Sequence, residues 1–353
     1  MSYRYYNMYR KLFLLGSIVG LIFLFSWIII SCKKTEQTIG TEMEQAIPAG
    51  FPEPRYRFAD NPLTVEGYEL GRKLFYDGRL SVDGNFPCAS CHEQRAAFGT
   101  FEHDRSHGYN NSHTLRNAPP LFNLAWQNEF HWDGEYKTTL QEAAHPLNTF
   151  TEMGADMSGA IKRLENDEEI KKMFKGAFGS SWITEDRIIK ALSQFTNNIV
   201  SYNSKYDKIK RGEASFTVQE QNGYSIFQSK CNGCHPEPMF TDYSYRNIGL
   251  PVDPILNDFG RVQITGNAKD SLKFRVPSLR NVVLTSNYMH DGRFATVAQV
   301  INHYRTGVQN NGMVDPLVQN GIAMTDSEAI DISVFLKTLS DSSILSNSKY
   351  KKP

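Results

Sequence analysis

Cysteine is scarce in this sequence, and too few cysteines are left over for a disulfide framework. Four of the five lie in two short motifs, which leaves Cys32 alone outside them. This count excludes a small disulfide-stabilised scaffold. No further cysteine pair remains to complete a zinc site of four thiolates beside either motif.

An excess of charge of either sign is also missing. The 353 residues carry 38 basic and 38 acidic side chains, without a basic run. A protein that binds nucleic acid needs a positive surface for the phosphates, so the composition excludes nucleic acid as a partner. Sustained alternation of polar and apolar residues is absent as well, which predicts few and short strands.

The two motifs that contain the cysteines are Cys88-Ala89-Ser90-Cys91-His92 and Cys231-Asn232-Gly233-Cys234-His235. Each has the pattern C-x-x-C-H, which is typical of covalent attachment of a c-type haem. Cysteines three positions apart share one face of a short helix, where both thiols reach the haem vinyl groups. His92 and His235 then each supply an imidazole to the iron. The motifs therefore predict two covalently bound c-type haems.

The N-terminus has the pattern of an export signal. Basic residues precede an apolar run from Leu12 to Ile30, and Ser31 and Cys32 follow it. This order predicts a signal peptide over residues 1–31. A small residue directly before a cysteine resembles the lipobox of bacterial lipoproteins, with Cys32 lipidated and the protein anchored to a membrane in the periplasm. The alternative is an uncleaved anchor, since the run is just long enough to span a bilayer.

The rest of the chain reads as a tether followed by two mainly α-helical domains. Residues 32–55 are polar and then proline-rich, which predicts a flexible tether. The spacing of apolar residues predicts helices over residues 63–75, with Thr64 as a cap, and over 158–178, 185–202 and 217–229. Residues 205–212 are expected to form a charged connector. We therefore predict cytochrome c-type domains over residues 56–213 and 214–345, each with one haem.

The second half of the sequence repeats the landmarks of the first. Residues 119–123 and 277–281 share the pattern P-x-L-x-N, and in both an Asp-Gly pair follows ten residues after the asparagine. His145 and His303 each lie twelve residues past that aspartate. Such register indicates two copies of one haem-binding unit.

Together these residues resemble the bacterial di-haem cytochrome c peroxidases, including the MauG-type enzymes. The resemblance rests on the two C-x-x-C-H motifs and on residues 116–119, 130–134, 152–153 and 276–292. It implies that the protein reduces hydrogen peroxide to water with electrons from a small c-type cytochrome or a cupredoxin. It also implies a possible homodimer, since dimers are common in the family.

The resemblance assigns roles to individual residues. His92 would hold the peroxidatic haem and His235 the electron-transfer haem, with Trp132 on the electron route between them. Glu152 matches the distal catalytic glutamate, which moves a proton between the peroxide oxygens. Glu142 stands where the family commonly has a glutamine. Beside Glu152, like-charge repulsion would raise one pKa, so Glu142 is either a protonated donor or points away.

The distal ligand of the His92 haem has three candidates. His107 matches the removable histidine that caps this haem in many family members. His103 and His113 lie in the same loop and are its rivals.

At the second axial ligand of the His235 haem, this sequence differs from the peroxidases of the family. Tyr304 stands where the peroxidases have a methionine, which is the MauG-type arrangement. A phenolate stabilises ferric iron more than a thioether does, so the gap between the two haem potentials should shrink. The alternative ligands are Met289, Met313 and Met324.

The family also holds a calcium ion between its domains. Asn117 matches its asparagine ligand, and Thr285 and Asn287 match positions that give backbone carbonyls, although the last is often proline. Oxygen donors from loops suit calcium.

Three functions follow from these residues. The leading one is a peroxidase. The second is a MauG-like oxidation of a protein substrate, which Tyr304 favours. The third, a non-catalytic di-haem electron carrier, is disfavoured by Glu152.

Overall fold

Helices make up most of the regular structure in residues 39–353, the part of the chain that the computed structural model describes. The predicted signal peptide and Cys32 lie outside the described residues. The α-helices are α1 (Val65–Phe75), α2 (Thr139–Asn148), α3 (Met157–Glu165), α4 (Glu168–Phe178), α5 (Glu185–Asn197), α6 (Lys205–Lys210), α7 (Val218–Lys230), α8 (Val262–Thr265), α9 (Val297–Asn302) and α10 (Asp326–Lys337). None of the helices in this part of the chain has the length and hydropathy needed to cross a bilayer.

Strands are as few and short as predicted. In the described residues β1 (Tyr245–Arg246) and β2 (Phe274–Arg275) form one antiparallel pair, in which Tyr245 lies opposite Arg275. The mainly α-helical class is therefore confirmed. The first predicted helix is α1, and its cap is also confirmed, because the Thr64 hydroxyl accepts a hydrogen bond from the backbone N–H of Gly67 at 3.0 Å.

Two helix predictions were wrong in their bounds, and one predicted connector contains a helix. The helix expected over residues 158–178 is divided into α3 and α4, because the Asp167 carboxylate accepts from the backbone N–H of Glu169 and Ile170 and starts a new helix. The helix expected to reach residue 202 ends at Asn197. The expected connector over 205–212 contains α6, which a capping box of Ser204 and Asp207 stabilises.

The apolar side chains gather in two large clusters. The first packs α1, α4 and α5 together around Leu70, Phe174 and Phe195, and the second surrounds Phe227 and Phe335 of α7 and α10. The C-terminal residues join the first cluster. The Tyr68 hydroxyl donates to the carbonyl of Lys349 at 2.6 Å, and Tyr350 packs in this core. Residues 40–353 thereby form one compact unit.

The asparagine side chains of the repeated P-x-L-x-N pattern both form hydrogen bonds with Ser201. Asn123 and Asn281 are buried, and both have left-handed backbone conformations, with φ of 56° and 58°. The Asn123 side chain pairs with the backbone N–H and carbonyl of Ser201, and the Asn281 amide donates to the Ser201 hydroxyl at 2.9 Å. The two copies of the unit therefore share a hydrogen-bonded centre.

A buried ion pair ties α6 to the second P-x-L-x-N segment. The Arg280 guanidinium, which is 1% exposed, donates to both carboxylate oxygens of Asp207 at 2.9 and 3.0 Å. Removal of Asp207 would leave a buried cation without its partner.

We predict that Asp207→Ala lowers the free energy of unfolding by about 3 kcal/mol or more, measured by urea denaturation. Asp186→Ala, which removes an exposed pair with Lys190, is the control and should have little effect; equal effects would contradict the prediction.

Candidate functional site

The two C-x-x-C-H motifs fold into equivalent turns. In the first, the backbone N–H groups of Cys91 and His92 both donate to the carbonyl of Cys88 at 3.2 and 3.1 Å. In the second, the N–H groups of Cys234 and His235 donate to the carbonyl of Cys231 at 3.2 and 3.0 Å. The first is a single 3₁₀ turn, and the second continues from the end of α7.

In each motif histidine one ring nitrogen, Nδ1, faces a backbone carbonyl. Nδ1 of His92 lies 3.1 Å from the carbonyl of Phe98, and Nδ1 of His235 lies 3.0 Å from that of Phe240. A carbonyl can only accept, so Nδ1 carries the proton and Nε2 keeps its lone pair. Burial lowers the pKa of both histidines, which favours the neutral form that binds metals.

A cavity of about 560 Å³ opens beside the second motif. Its lining includes Cys231, Cys234, His235, Tyr304 and Met289. Tyr304 projects from a π-helical turn, His303–Gly307, that continues α9; such turns occur frequently at functional sites. Burial raises the pKa of its hydroxyl.

Of the methionine alternatives, Met289 shares this cavity with Tyr304. Its φ of 73° is uncommon for a residue with a side chain. Met313 is 44% exposed, Met324 packs beside the second apolar cluster, and neither is among the residues that line the cavity.

Arg275 provides a test of whether this cavity fits a haem. The residue is 5% exposed and lines the cavity, and no carboxylate of the described residues lies within 4.0 Å of its guanidinium. Its Nε donates to the carbonyl of His131 at 3.2 Å. A buried cation without a counter-ion is costly, and burial lowers its pKa. A haem carries two propionate carboxylates, so an anionic group of this kind fits beside Arg275.

Trp132 lies on the edge of the same cavity. Its indole N–H donates to the carbonyl of Asn117 at 2.9 Å, and its own carbonyl accepts from the backbone N–H of Arg275 at 2.6 Å. Next to it, Arg116 binds the carboxylates of Asp133 and Asp258 at 2.5 and 2.6 Å. The indole is therefore fixed between the two halves of the repeat.

Glu152 lies near the first motif and is hydrogen-bonded to a histidine. Burial raises the pKa of the Cys88 thiol to about 12, and the charges of Cys91 and Glu152 add to the shift. Oε1 of Glu152 lies 3.1 Å from Nε2 of His145, whose Nδ1 lies 2.7 Å from the Tyr136 hydroxyl. Three side chains from α2 and the loops around it thus form one chain of hydrogen bonds.

Glu142 lies beside this chain. Its Oε2 is 3.1 Å from Nε2 of His131, but among residues 39–353 it has no partner with hydrogen-bond geometry. Burial raises the pKa of Glu142 to about 8; Glu152 adds to the shift, and His145 opposes it. Burial lowers the pKa of His131 to about 3. At neutral pH the two side chains are therefore a protonated carboxyl and a neutral imidazole.

The loop with the three candidate histidines reaches the first motif. The carbonyl of His107 lies 3.9 Å from Sγ of Cys91, and its Nδ1 lies 3.1 Å from the Asn111 side-chain oxygen. The ring centroids of His103 and His113 lie 4.7 and 4.2 Å from that of His107. The three candidate rings therefore lie next to one another, and the choice between them stays open.

The predicted calcium residues are found in two loops. The Asn117 amide donates to the carbonyl of Asp104 at 2.8 Å, which leaves its side-chain oxygen free to accept. The carbonyl of Thr285 accepts from the Tyr288 hydroxyl at 3.1 Å. Asn287 has a left-handed conformation, with φ of 54°.

Four residues of the site are missing from the sequence predictions: His131, Tyr136, His145 and Arg275. Two of them had a signal in the sequence. His145 is a landmark of the repeat, and His131 precedes the first Asp-Gly pair at the same distance as Met289 precedes the second. Both His131 and Met289 adopt a left-handed conformation, with φ of 61° and 73°.

Comparison with known proteins agrees with a two-haem protein of the cytochrome c type. A family model described as di-haem cytochrome c peroxidase matches residues 65–215. The chain is 34% identical to cytochrome c551 peroxidase of Nitrosomonas europaea over 285 residues, which cover 80% of this chain and 82% of that protein. It is 31% identical to the methylamine utilization protein MauG of Methylophilus methylotrophus over 301 residues, with 83% and 86% covered.

Solved structures give the same result. A MauG-like protein associated with microbial copper homeostasis is 32% identical, with a TM-score of 0.82, and the match covers 88% of this chain and 99% of that chain. The chain therefore belongs to the di-haem cytochrome c peroxidase and MauG family, whose members carry two c-type haems.

The protonation of Glu142 can be tested directly. With a pKa of about 8, its carboxyl is protonated at pH 7 and ionised at pH 9. We predict that infrared difference spectra between these pH values contain the loss of a protonated carboxyl band, and that Glu142→Gln abolishes this band. Glu165→Gln, at an exposed position, should retain it. A band that persists in Glu142→Gln would contradict the assignment.

Proposed function

We propose that this protein is a di-haem peroxidase that reduces hydrogen peroxide to water with electrons from a small c-type cytochrome or a cupredoxin. Cys88 and Cys91 would hold one haem and Cys231 and Cys234 the other, in two cytochrome c-type domains. A haem held at His92 supplies the iron at which peroxide is bound and reduced. The names of the peroxidase relatives support this function.

The observation that carries the proposal is the position of Glu152. Its backbone carbonyl accepts from the N–H of Tyr109 at 2.7 Å, so the residue is fixed against the histidine loop that contacts Cys91. Its carboxylate accepts from His145. A carboxylate beside the first motif can take a proton from one peroxide oxygen and return it to the other as the bond between them breaks. A simple electron carrier has no need of such a group.

We predict that Glu152→Gln lowers peroxide turnover at least about a hundredfold, the lower end for lost acid–base catalysis. The amide has nearly the shape of the carboxyl but cannot carry the proton. Turnover is measured with a reduced soluble cytochrome as donor, and absorption spectra check that both haems are intact. Glu165→Gln is the matched control and should retain full activity. Unchanged turnover in Glu152→Gln would remove the proposed role.

In this proposal electrons enter on the His235 side and pass Trp132 to the His92 side. The indole suits this route because it borders the second cavity, and its N–H and carbonyl are both fixed by hydrogen bonds. Tyr304 is proposed as the second ligand at the His235 haem, since its side chain lines the cavity that contains His235. His107 is proposed as the removable cap at the His92 haem.

Tyr304→Met tests the second ligand. A thioether stabilises ferric iron less than a phenolate, so we predict a changed absorption spectrum and a higher midpoint potential for the His235 haem. Both are measured by spectroelectrochemical titration. The control Met289→Leu should leave the spectrum unchanged. If Tyr304→Met leaves the spectrum unaltered while Met289→Leu changes it, the ligand is Met289.

A MauG-like oxidation of a protein substrate is the second candidate. Tyr304 is the observation that favours it, and MauG relatives cover most of the chain. The two functions differ in their need for a reductant. Rapid peroxide turnover with a small cytochrome or cupredoxin favours the peroxidase, whereas peroxide-dependent modification of a protein without such a donor favours the oxidase.

The remaining assignments complete the proposal. Asn117, Thr285 and Asn287 would supply oxygen ligands to a calcium ion. Export with lipidation at Cys32 would anchor the protein in the periplasm, and a homodimer is the proposed assembly. An intact Met1 and an unmodified Cys32 in the mass spectrum of the mature protein would reject the lipoprotein.

A further inference from the structure

His145 has both ring nitrogens engaged. It lies in the last turn of α2, with Nε2 at 3.1 Å from Glu152 and Nδ1 at 2.7 Å from the Tyr136 hydroxyl. A neutral imidazole has one donor and one acceptor. The Tyr136 hydroxyl can therefore donate to Nδ1 while the Nε2–H group donates to Glu152. This arrangement gives a continuous path for a proton from Tyr136 to the carboxylate.

The charges around His145 favour a proton on its ring. Burial opposes the charge, but the hydrogen bond to Glu152 and the negative charges of Glu152 and Glu135 raise the pKa of His145. The His131 ring packs edge-on against it at 4.6 Å and adds no opposing charge, because burial keeps it neutral. Burial and the charge of Glu135 raise the pKa of Tyr136 to about 12, so its hydroxyl remains protonated.

A second contact holds the ring in place. The Thr149 hydroxyl donates to the carbonyl of His145 at 2.7 Å and lies 3.3 Å from its Nε2. Tyr136 is held by the bridge between its carbonyl and the N–H of Phe130 at 2.8 Å. His145 and Tyr136 are thus both held by hydrogen bonds that involve their own backbone carbonyls.

We propose that His145 is the positioning residue of Glu152 and returns to its carboxylate each proton that Glu152 delivers. This inference rests on the proposed peroxidase function. Reduction of one hydrogen peroxide breaks the O–O bond with two electrons from the donor protein and takes up two protons, giving two water molecules. Glu152 delivers protons to the oxygen atoms. His145 replaces them from Nε2, and Tyr136, which is half-buried, links Nδ1 to the solvent side.

His145→Gln separates proton transfer from positioning, because its amide N–H can still reach Glu152 but cannot titrate. We expect kcat to fall at least about tenfold, less than for a direct acid or base because water can substitute in part. The KM for peroxide should remain at the wild-type value, and the solvent deuterium isotope effect on kcat should increase. Tyr136→Phe should cause a smaller loss in the same direction. Tyr202→Phe, at an exposed tyrosine, is the matched control and should behave as wild type.

A wild-type kcat in His145→Gln would overturn the inference. So would a lower kcat with a proportional rise in KM and an unchanged isotope effect, since those values indicate a structural loss. If His145→Gln does not fold, as judged from its haem spectra, Tyr136→Phe carries the same test. Full turnover in Glu152→Gln would instead reject the proposed function, whereas loss in Glu152→Gln without loss in His145→Gln rejects this inference alone.

Discussion

The site depends on two half-buried imidazoles, whose Nδ1–H groups each donate to a backbone carbonyl. The carbonyls of Phe98 and Phe240 fix Nδ1 of His92 and His235, and each carbonyl is held by its own loop next to an apolar cluster. This contact determines both the tautomer and the direction of Nε2. The turns before the histidines bring two cysteines to the same side. The other residues of each copy of the repeat determine which side chains lie opposite Nε2 of His92 and of His235.

The repeat explains why the two sites differ. Pro146 and Tyr304 each lie thirteen residues past the aspartate of an Asp-Gly pair, in or just after equivalent helices. Under the proposed function, Pro146 has no group that can bind iron, so a haem at His92 would have no ligand equivalent to Tyr304 from this helix. The tyrosine in the second half occupies the corresponding sequence position and lines the cavity that contains His235. In this proposal, one difference between the two copies would account for a substrate site in one half and a closed site in the other.

The sequence predicted what depends on local pattern. The haem motifs, the Thr64 cap and the landmarks of the repeat are recognised by spacing within a short segment. The Tyr136–His145–Glu152 chain could not be predicted in this way, because its three members belong to a loop, a helix and a further loop that meet only after folding. The helix over Lys205–Lys210 was missed because its charges suggested a solvated connector, while its capping box and the Asp207–Arg280 pair stabilise it. The role of Arg275 could not be predicted from the sequence, because it depends on which side chains surround the guanidinium after folding. Among the described residues, no carboxylate lies within 4.0 Å of it.

The proposed function requires the two sites to be unequal: a haem held at His92 would bind peroxide once the proposed His107 cap is removed, and a haem held at His235 would not. A titration of the half-reduced protein with cyanide, followed by electron paramagnetic resonance, tests it most directly. We predict that one of the two haems binds cyanide and that Glu152→Gln changes the cyanide affinity of that haem. Binding at both haems, binding at neither, or binding at a haem that is insensitive to Glu152→Gln would contradict it.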